Sequence, residues 1–233
     1  MLKMDLLTAN DKQGKYPSSY YAEHARHLED FPCLNGEIQA DVCVVGGGFT
    51  GLSTALHLAQ SGYKVALLEA QRLGFGASGR NGGQVSGGQR MDQEGLEAML
   101  GDEQANVLWD ISQESVDLVR NLSADMDDCG VVDGIIHTAH RERYVSEEHS
   151  YTDHLRDKYG YDKIQNLSRE ETRELVNSPA YYGATLDMGA GHIDPLRYAL
   201  GLGRKCVDLG VSIYEQSKVI DVQPGDPAVI KAE

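Results

Sequence analysis

The sequence is short of basic residues, and this shortage excludes one class of partner. It holds 21 lysines and arginines against 36 aspartates and glutamates, a formal net charge of −15 at pH 7. A surface with such an excess of negative charge repels polyanions instead of attracting them. We therefore expect no nucleic acid partner.

Long apolar runs are also missing. The longest runs fall well short of the ~18 consecutive apolar residues that read as a membrane-spanning helix, and the N-terminus lacks the apolar core of a secretory signal peptide. We expect no membrane span and a cytoplasmic protein, while loose attachment to a membrane surface stays open.

Cysteine is scarce and scattered, with no CxxC or CxxH spacing, so we expect reduced thiols and no disulfide framework or zinc site. The four cysteines are Cys33, Cys43, Cys129 and Cys206. His137 and His140 are three apart on a predicted strand end, where their side chains point to opposite faces. No metal site is predicted.

Glycine is what the sequence has in excess. It accounts for 26 of the 233 residues, above the average of about 7%, and clusters between Gly46 and Gly88. Because glycine adopts backbone conformations closed to other residues, this region should hold the unusual turns. The length suffices for one substantial core, or for one domain and part of a second.

A strand, a helix and a second strand are predicted between Asp41 and Glu69. The run "ADVCVVG" is typical of a central parallel strand buried on both faces. The stretch "FTGLSTALHLAQSG" carries apolar residues at helical spacing and ends at Gly62, and "YKVALLEA" is the second strand. About 30 residues is the length that a β-α-β crossover needs.

Three glycines lie where the first strand meets the helix, in a GxGxxG pattern. Gly46 permits the sharp turn, Gly48 lets the backbone approach a pyrophosphate, and Gly51 allows close helix–strand packing. Glu69 ends the second strand 18 residues after Gly51, where a carboxylate binds ribose hydroxyls and disfavours NADP. The alternative is a tight turn in some other α/β sheet.

A second glycine-rich segment, Arg72–Gly88, has seven glycines in seventeen residues. Interspersed hydrogen-bond donors favour a loop that wraps a phosphate and a flat ring system. An exposed flexible loop is the alternative.

The stretches "VVGGGFTGLSTALHLAQSGYKVALLEA" and "GFGASGRNGGQ" resemble the FAD-dependent amine and amino-acid oxidases of the D-amino-acid-oxidase and glycine-oxidase type. "SSYYA" at Ser18–Ala22 and "YYGATLDMGAGHIDPLRYALGL" at Tyr181–Leu202 extend the resemblance over nearly the whole chain. It implies FAD as the cofactor. The implied FAD-binding residues are Gly46, Gly48, Phe49, Thr50, Gly51, Glu69, Ala70, Ser78, Arg80, Asn81, Gly82, Gly83, Gln84 and, through its main chain, Val219.

The resemblance also implies an α/β fold class. A Rossmann-like FAD-binding domain, a β-α-β unit with a parallel sheet, would comprise residues 37–91 and 192–226. Residues 92–191 would form the first part of an α+β substrate domain, and residues 1–36 an N-terminal arm. The chain re-enters the first domain through a helix with Asp194 as N-cap and Pro195 at N1. We expect the C-terminal half of the family's length to be missing, with "PAVIKAE" as the first strand of a hairpin.

Within residues 92–191 the sequence predicts an amphipathic helix of about 20 residues. Its apolar face would carry Val107, Leu108, Ile111, Val116, Leu118, Val119 and Leu122. The acidic run Ser123–Asp128 would be a solvated helix end, and "CGVVDGIIHTAH" a strand pair around a glycine turn. Ser146 and Ser168 would cap helices, with His149 and His154 as solvated helix residues.

By resemblance, the implied reaction oxidises a small-molecule amine, such as gamma-glutamylputrescine, at a CH–NH or CH–NH2 group. The imine would hydrolyse to aldehyde and ammonia, and molecular oxygen would reoxidise the flavin with release of hydrogen peroxide. No residue is predicted to be catalytic, because the cofactor carries the chemistry. The alternatives are an oxidase of glycine, sarcosine or a D-amino acid, and a non-catalytic dinucleotide-binding subunit. The oligomeric state stays open.

Overall fold

The computed structural model describes residues 11–25, 30–126 and 129–233. Parts of the predicted N-terminal arm (1–10 and 26–29) and the end of the Ser123–Asp128 run lie outside these residues. The helices are α1 (Tyr20–His24), α2 (Phe49–Gln60), α3 (Gln93–Leu100), α4 (Asp102–Ser123), α5 (Glu142–Tyr159), α6 (Arg169–Val176) and α7 (Pro195–Asp208). The strands are β1 (Val42–Val45), β2 (Val65–Leu68), β3 (Gln84–Val85), β4 (Val132–Ala139), β5 (Ile164–Leu167), β6 (Gly183–His192), β7 (Ser212–Tyr214), β8 (Val219–Gln223) and β9 (Val229–Ala232).

The chain divides into two compact units, one of Met1–Gly82 with Asp194–Glu233 and one of Gly83–Ile193. The sequence boundaries lay at 91/92 and 191/192. The roles of the two segments, cofactor binding and substrate binding, stay predictions.

The first unit contains a parallel sheet in the order β1-β2-β7. All four residues of β2 are buried, and α2 buries Leu52, Ala55 and Leu56. Helices α2 and α7 pack against each other, and α2 also packs on β1 and β2. An α/β fold with a parallel β-α-β unit is therefore confirmed.

Two strand predictions in this unit are wrong. In the described sheet β2 is the central strand and β1 lies at an edge, with Val45 55% exposed. A β-branched run predicts that a segment is a strand. Its position in the sheet depends on which other strands pair with it, and a local pattern does not show that. The terminal strand β9 pairs antiparallel with β8, so it is the second strand of its hairpin.

The second unit is built around the long strand β6. It pairs antiparallel with β4 along its length, with β5 near its start and with β3 at its end. The predicted strand pair from Cys129 to His140 is wrong, since β4 is a single strand. Gly134, at φ +100°, lies at a register shift between Asp133 and Ile135, so it forms a bulge and not a turn.

Helix α4 has the predicted length, but of its predicted apolar face only Val116 is buried. It buries Ala105, Trp109, Ser112 and Val116, whereas Val107, Ile111 and Leu118 are exposed. The Trp109 ring lies 5.0 Å and 5.3 Å from two tyrosine rings of the same unit. This large aromatic contact sets the helix rotation that the aliphatic spacing missed.

The two predicted serine caps comprise one confirmed prediction and one error. Ser168 accepts a hydrogen bond from the Glu171 amide in a complete capping box. Ser146 lies inside α5, which begins at Glu142. His149 and His154 are half-buried and not solvated: their Nε2 atoms lie 3.1 Å from the Ala184 carbonyl oxygen and 2.8 Å from Glu97 Oε1.

Two further observations concern the chain as described. No helix among the described residues combines the length and the apolarity that crossing a membrane requires. All four cysteines are free thiols, with Cys129 and Cys206 buried and Cys33 exposed.

Candidate cofactor site

The glycine turn between β1 and α2 has the geometry that its sequence predicts. Gly46 has φ +100°, in the left-handed region that favours glycine. A Cβ on Gly51 would overlap the Gly46 carbonyl oxygen and lie 3.4 Å from Cγ1 of Val44 in β1. Gly51 therefore lets the first turn of α2 lie against the strand end.

The first turn of α2 presents main-chain amides at the end of β1. Its N-cap is Gly48, which supplies no side-chain acceptor. The Phe49 amide instead donates to Ser78 Oγ at 3.0 Å, across 29 positions of sequence. A Cβ on Gly48 would lie 2.8 Å from the same hydroxyl. Two residues predicted for one site are therefore in contact.

The Glu69 carboxylate lies directly at the glycine turn. Its Oε2 accepts a hydrogen bond from the Gly47 amide at 2.6 Å, and its Oε1 accepts one from the Gln71 amide at 2.7 Å. An ionised carboxylate has about four lone-pair positions, so each oxygen retains capacity for another donor. Glu69 is half-buried, beside the start of α2.

The first-unit part of the second glycine-rich segment, residues 72–82, is called here the 72–82 loop. The Gly74 amide donates to the Gly47 carbonyl at 2.8 Å, which joins the loop to the glycine turn. Gly74 has φ +68°, and a Cβ there would lie 2.8 Å from the Cβ of Ala199 in α7. The loop also contains a short 3-10 helix, Ala77–Gly79. It is thus a packed structural segment.

The polar side chains of the loop bond to the loop itself. Arg80 Nε donates to the Phe75 carbonyl at 2.7 Å, and its guanidinium lies 4.7 Å from the Phe75 ring centre. Asn81 Nδ2 donates to the carbonyls of Ala77 and Ser78, both at 3.1 Å. Both side chains belong to exposed residues, so they fix the loop while facing solvent.

Comparison with known proteins turns this arrangement into a family assignment. Residues 41–232 match the family described as FAD dependent oxidoreductase. The chain belongs to this family.

Individual members agree with the assignment. Gamma-glutamylputrescine oxidoreductase of Escherichia coli strain K12 is 38% identical over 218 residues, 93% of this chain and 51% of that protein. The probable oxidoreductase OrdL of Haemophilus influenzae is 38% identical over 208 residues, 88% of this chain and 48% of that protein. The glycine oxidase structure from Geobacillus kaustophilus covers 83% of this chain and 51% of its own, with a TM-score of 0.65 and 24% identity. The chain spans about half the length of the curated relatives it matches.

FAD is the cofactor of this FAD dependent oxidoreductase family, and the residues of the first unit fit it. The start of α2 supplies amide donors and the positive end of a helix dipole, as a diphosphate requires. The half-buried carboxylate of Glu69 lies beside that helix start, as the adenosine ribose requires. A side chain at position 51 would overlap the backbone, and one at position 48 would crowd Ser78. The donor set and the cradle thus fit a dinucleotide.

The structure brings some predicted residues together and leaves others apart. Glu69 and Ser78 each contact the turn Gly46–Gly51, and Ala70 is half-buried after Glu69. Gly83 and Gln84 belong to the second unit, where Gln84 pairs with His192. Val219 lies in the β8–β9 hairpin, paired with Ala232. FAD contacts by these residues stay predictions.

Sequence reasoning missed residues that build the site without facing a ligand. Leu73 is fully buried, and a Cβ on Gly47 would lie 2.6 Å from its side chain. Gly74 links the loop to the turn. The signal for Gly74 was present, since it lies in the same glycine-rich stretch. Nothing in the local pattern indicated Leu73, whose contacts come from distant parts of the chain.

Proposed function

We propose that this chain forms the FAD-binding part of an amine oxidase that acts on gamma-glutamylputrescine or a closely similar amine. The supporting observation is the 38% identity with the Escherichia coli gamma-glutamylputrescine oxidoreductase over 93% of the chain. The products would be an aldehyde, ammonia and hydrogen peroxide, with water and molecular oxygen consumed.

The residues of the first unit have distinct proposed roles in holding FAD. The amides of Thr50 and Gly51, at the start of α2, would bind the diphosphate, and Glu69 would accept hydrogen bonds from the ribose. Ser78 and the residues Arg80–Gly82 would lie along the diphosphate on the flavin side. The main chain of Val219 would meet the adenine edge. Contacts of Gly83 and Gln84 with FAD stay an implication of the sequence resemblance.

When bound, FAD would supply the acceptor for a hydride equivalent from the amine-bearing carbon, with oxygen as the final oxidant. The residues of this chain would bind FAD and orient it. Glu69 discriminates by charge, because a second negative group on the ribose would be repelled by its carboxylate. The packed 72–82 loop keeps amide and side-chain donors fixed before the ligand arrives, which lowers the entropy cost of binding.

Flavin uptake and substrate reduction test this proposal separately. The purified chain is titrated with FAD and its visible spectrum recorded, with Glu69→Ala as the binding-deficient variant and Glu37→Ala, an exposed carboxylate elsewhere in the same unit, as the control. Saturable flavin uptake weakened about tenfold or more by Glu69→Ala and unaffected by Glu37→Ala would support the site. Absence of uptake by the unmodified chain would contradict it.

The substrate arm uses anaerobic bleaching of the bound flavin. It is run on this chain and, if the reading frame extends past Glu233, on the full product. Gamma-glutamylputrescine is compared with glycine, sarcosine and D-alanine. Bleaching by the first alone supports the proposed substrate. Bleaching by an amino acid instead would assign a different oxidase, and stable flavin binding with no bleaching would favour a non-catalytic role.

A further inference from the structure

The N-terminal arm packs on the strand ends that carry the 72–82 loop. Its amide donor at Gly14 bonds to Gln71 Oε1 at 2.8 Å, and the Pro32 carbonyl accepts from the Glu215 amide at 3.2 Å. The Leu34 amide donates to Ser217 Oγ at 2.7 Å. The arm is therefore joined to Gln71, directly before the loop, and to the segment that follows β7.

Leu73, the second residue of the loop, is held at both of its main-chain groups. Its amide donates to Glu215 Oε1 at 2.8 Å, and its carbonyl accepts from the Tyr16 hydroxyl at 2.7 Å. Tyr16 comes from the arm and Glu215 follows β7. The next amide, that of Gly74, bonds to Gly47 in the glycine turn. Gly74 thus links this double anchor directly to the glycine turn.

Arg72 completes the anchor with charge. Its Nε lies 2.7 Å from Glu215 Oε2 and its NH1 2.7 Å from Asp30 Oδ1, and its guanidinium lies 5.3 Å from the centre of the Tyr16 ring. Arg72 is 9% exposed and Glu215 only 1% exposed. The two carboxylates beside Arg72 balance the positive charge of its buried guanidinium.

A carboxylate buried as deeply as Glu215 is costly unless its partners are arranged for it. Burial raises the pKa of Glu215, and the Leu73 amide, the Arg72 charge and the Phe31 amide oppose that rise. Replacing a whole buried ion pair with apolar residues is often neutral for stability, whereas removing one partner leaves the other buried and unsatisfied. What the buried group supplies here is a specific loop position.

We propose, on the basis of the proposed function, that Tyr16 and Glu215 are positioning residues for the FAD site. They hold Leu73 from opposite sides and thereby keep Gly74 and the 72–82 loop against the glycine turn. The arm is then part of the cofactor-binding machinery, although it contributes no predicted ligand contact.

The test combines two matched pairs of variants with two measurements, both made at low temperature to favour the folded state. Tyr16→Phe removes one hydroxyl and is matched by Tyr20→Phe, since Tyr20 lies in the same arm and is 70% exposed. Glu215→Gln is matched by Glu37→Gln, at an exposed site. Amide hydrogen exchange is measured at Leu73 and Gly74 in the ligand-free chain, and FAD affinity by titration.

We expect Tyr16→Phe to speed exchange at Gly74 and to raise the Kd for FAD, each by about two- to tenfold, the range for one lost hydrogen bond. Glu215→Gln should have the larger effect, and the two controls none. Exchange in β2 and α7 should stay unchanged, which separates loop positioning from general destabilisation. If Glu215→Gln does not fold, the exchange rates and the Kd of the Tyr16→Phe variant alone test the proposal.

Unchanged exchange at Leu73 and Gly74, an unchanged Kd, or an equal effect of Tyr20→Phe would overturn the proposal. If the unmodified chain takes up no FAD, the proposed function is contradicted, and the exchange rates alone then decide whether the arm positions the loop.

Discussion

At the scale of single residues, Gly51 contributes to the site through the atom that it lacks. The Gly46 carbonyl occupies the space that a Cβ would need, and backbone cannot rotate away as a side chain can. The consequence reaches the helix: any larger residue would push the first turn of α2 away from the end of β1. The turn and the helix start are therefore one rigid piece.

Gly51→Ala should lower the free energy of unfolding by about 1–3 kcal/mol, the usual cost of overpacking, and weaken FAD uptake more than tenfold. Chemical denaturation and flavin titration measure the two effects. Gly130→Ala is the control, because no atom lies within 4 Å of a Cβ built there and its φ is not positive. A Gly51→Ala protein as stable as the unmodified chain would contradict the packing argument.

At the scale of secondary structure, a polar cluster around Glu97 ties α3 to the C-terminal end of α5. Glu97 Oε1 lies 2.8 Å from His154 Nε2 and 2.6 Å from the Tyr159 hydroxyl, and its Oε2 lies 2.8 Å from Lys158 Nζ. Burial alone would raise the pKa of Glu97, but hydrogen bonds from Lys158, Tyr159 and His154 lower it to about 2.

This cluster predicts acid lability of the helix contact. A carboxyl whose pKa is lower in the folded chain stabilises the fold above its unfolded pKa and loses that contribution as pH falls. The free energy of unfolding should therefore decrease from about pH 5 to pH 2. Glu97→Gln should flatten this decrease, whereas Glu94→Gln, an exposed residue of the same helix, should leave it unchanged. An identical slope in the Glu97→Gln variant would refute the assignment.

The elements that the sequence predicts well are those whose determinants are local. Ser168 and Asp194 cap their helices as expected, because a cap needs only a side-chain oxygen and the next three residues. The glycine turn was predictable for the same reason. The buried face of α4 was not predictable, because it depends on contacts of Trp109 with Tyr159 and Tyr161, which are distant in sequence. The edge position of β1 was not predictable either, because β2 is central only through its pairing with the distant strand β7.

The candidate site divides along the same line. Glu69 was predictable from the fixed spacing of the glycine motif, and Ser78 from the family resemblance of the glycine-rich loop; both lie at the turn. Tyr16 and Glu215 carry no local signature: they meet at Leu73 from positions 57 and 142 residues away. Only the folded chain shows that contact.

At the scale of the whole molecule, the net charge of −15 is the dominant global property. Self-repulsion among like charges destabilises a compact state, and dissolved salt screens it. The Arg72–Glu215 ion pair is buried, so dissolved salt screens it less than a pair at the surface.

We therefore expect the melting temperature at pH 7 to rise by several degrees between about 20 mM and 500 mM sodium chloride. Differential scanning fluorimetry measures it, and choline chloride as a second salt separates screening from specific sodium binding. A melting temperature that falls with both salts would show that surface ion pairs outweigh the repulsion.

The hydroxyl of Ser78 has a consequence for how tightly any anion can bind at α2. It already satisfies the Phe49 amide, so an incoming oxygen must compete with a resident acceptor at that position. Binding there is an exchange of one partner for another, and its net gain is only the difference between a charged acceptor and a neutral one. Removing the Ser78 hydroxyl would leave the Phe49 amide without its acceptor in the ligand-free protein, so it would change the free protein as well as the complex. The affinity for an anion at this helix therefore depends on the hydrogen bond that is lost as well as on the one that forms.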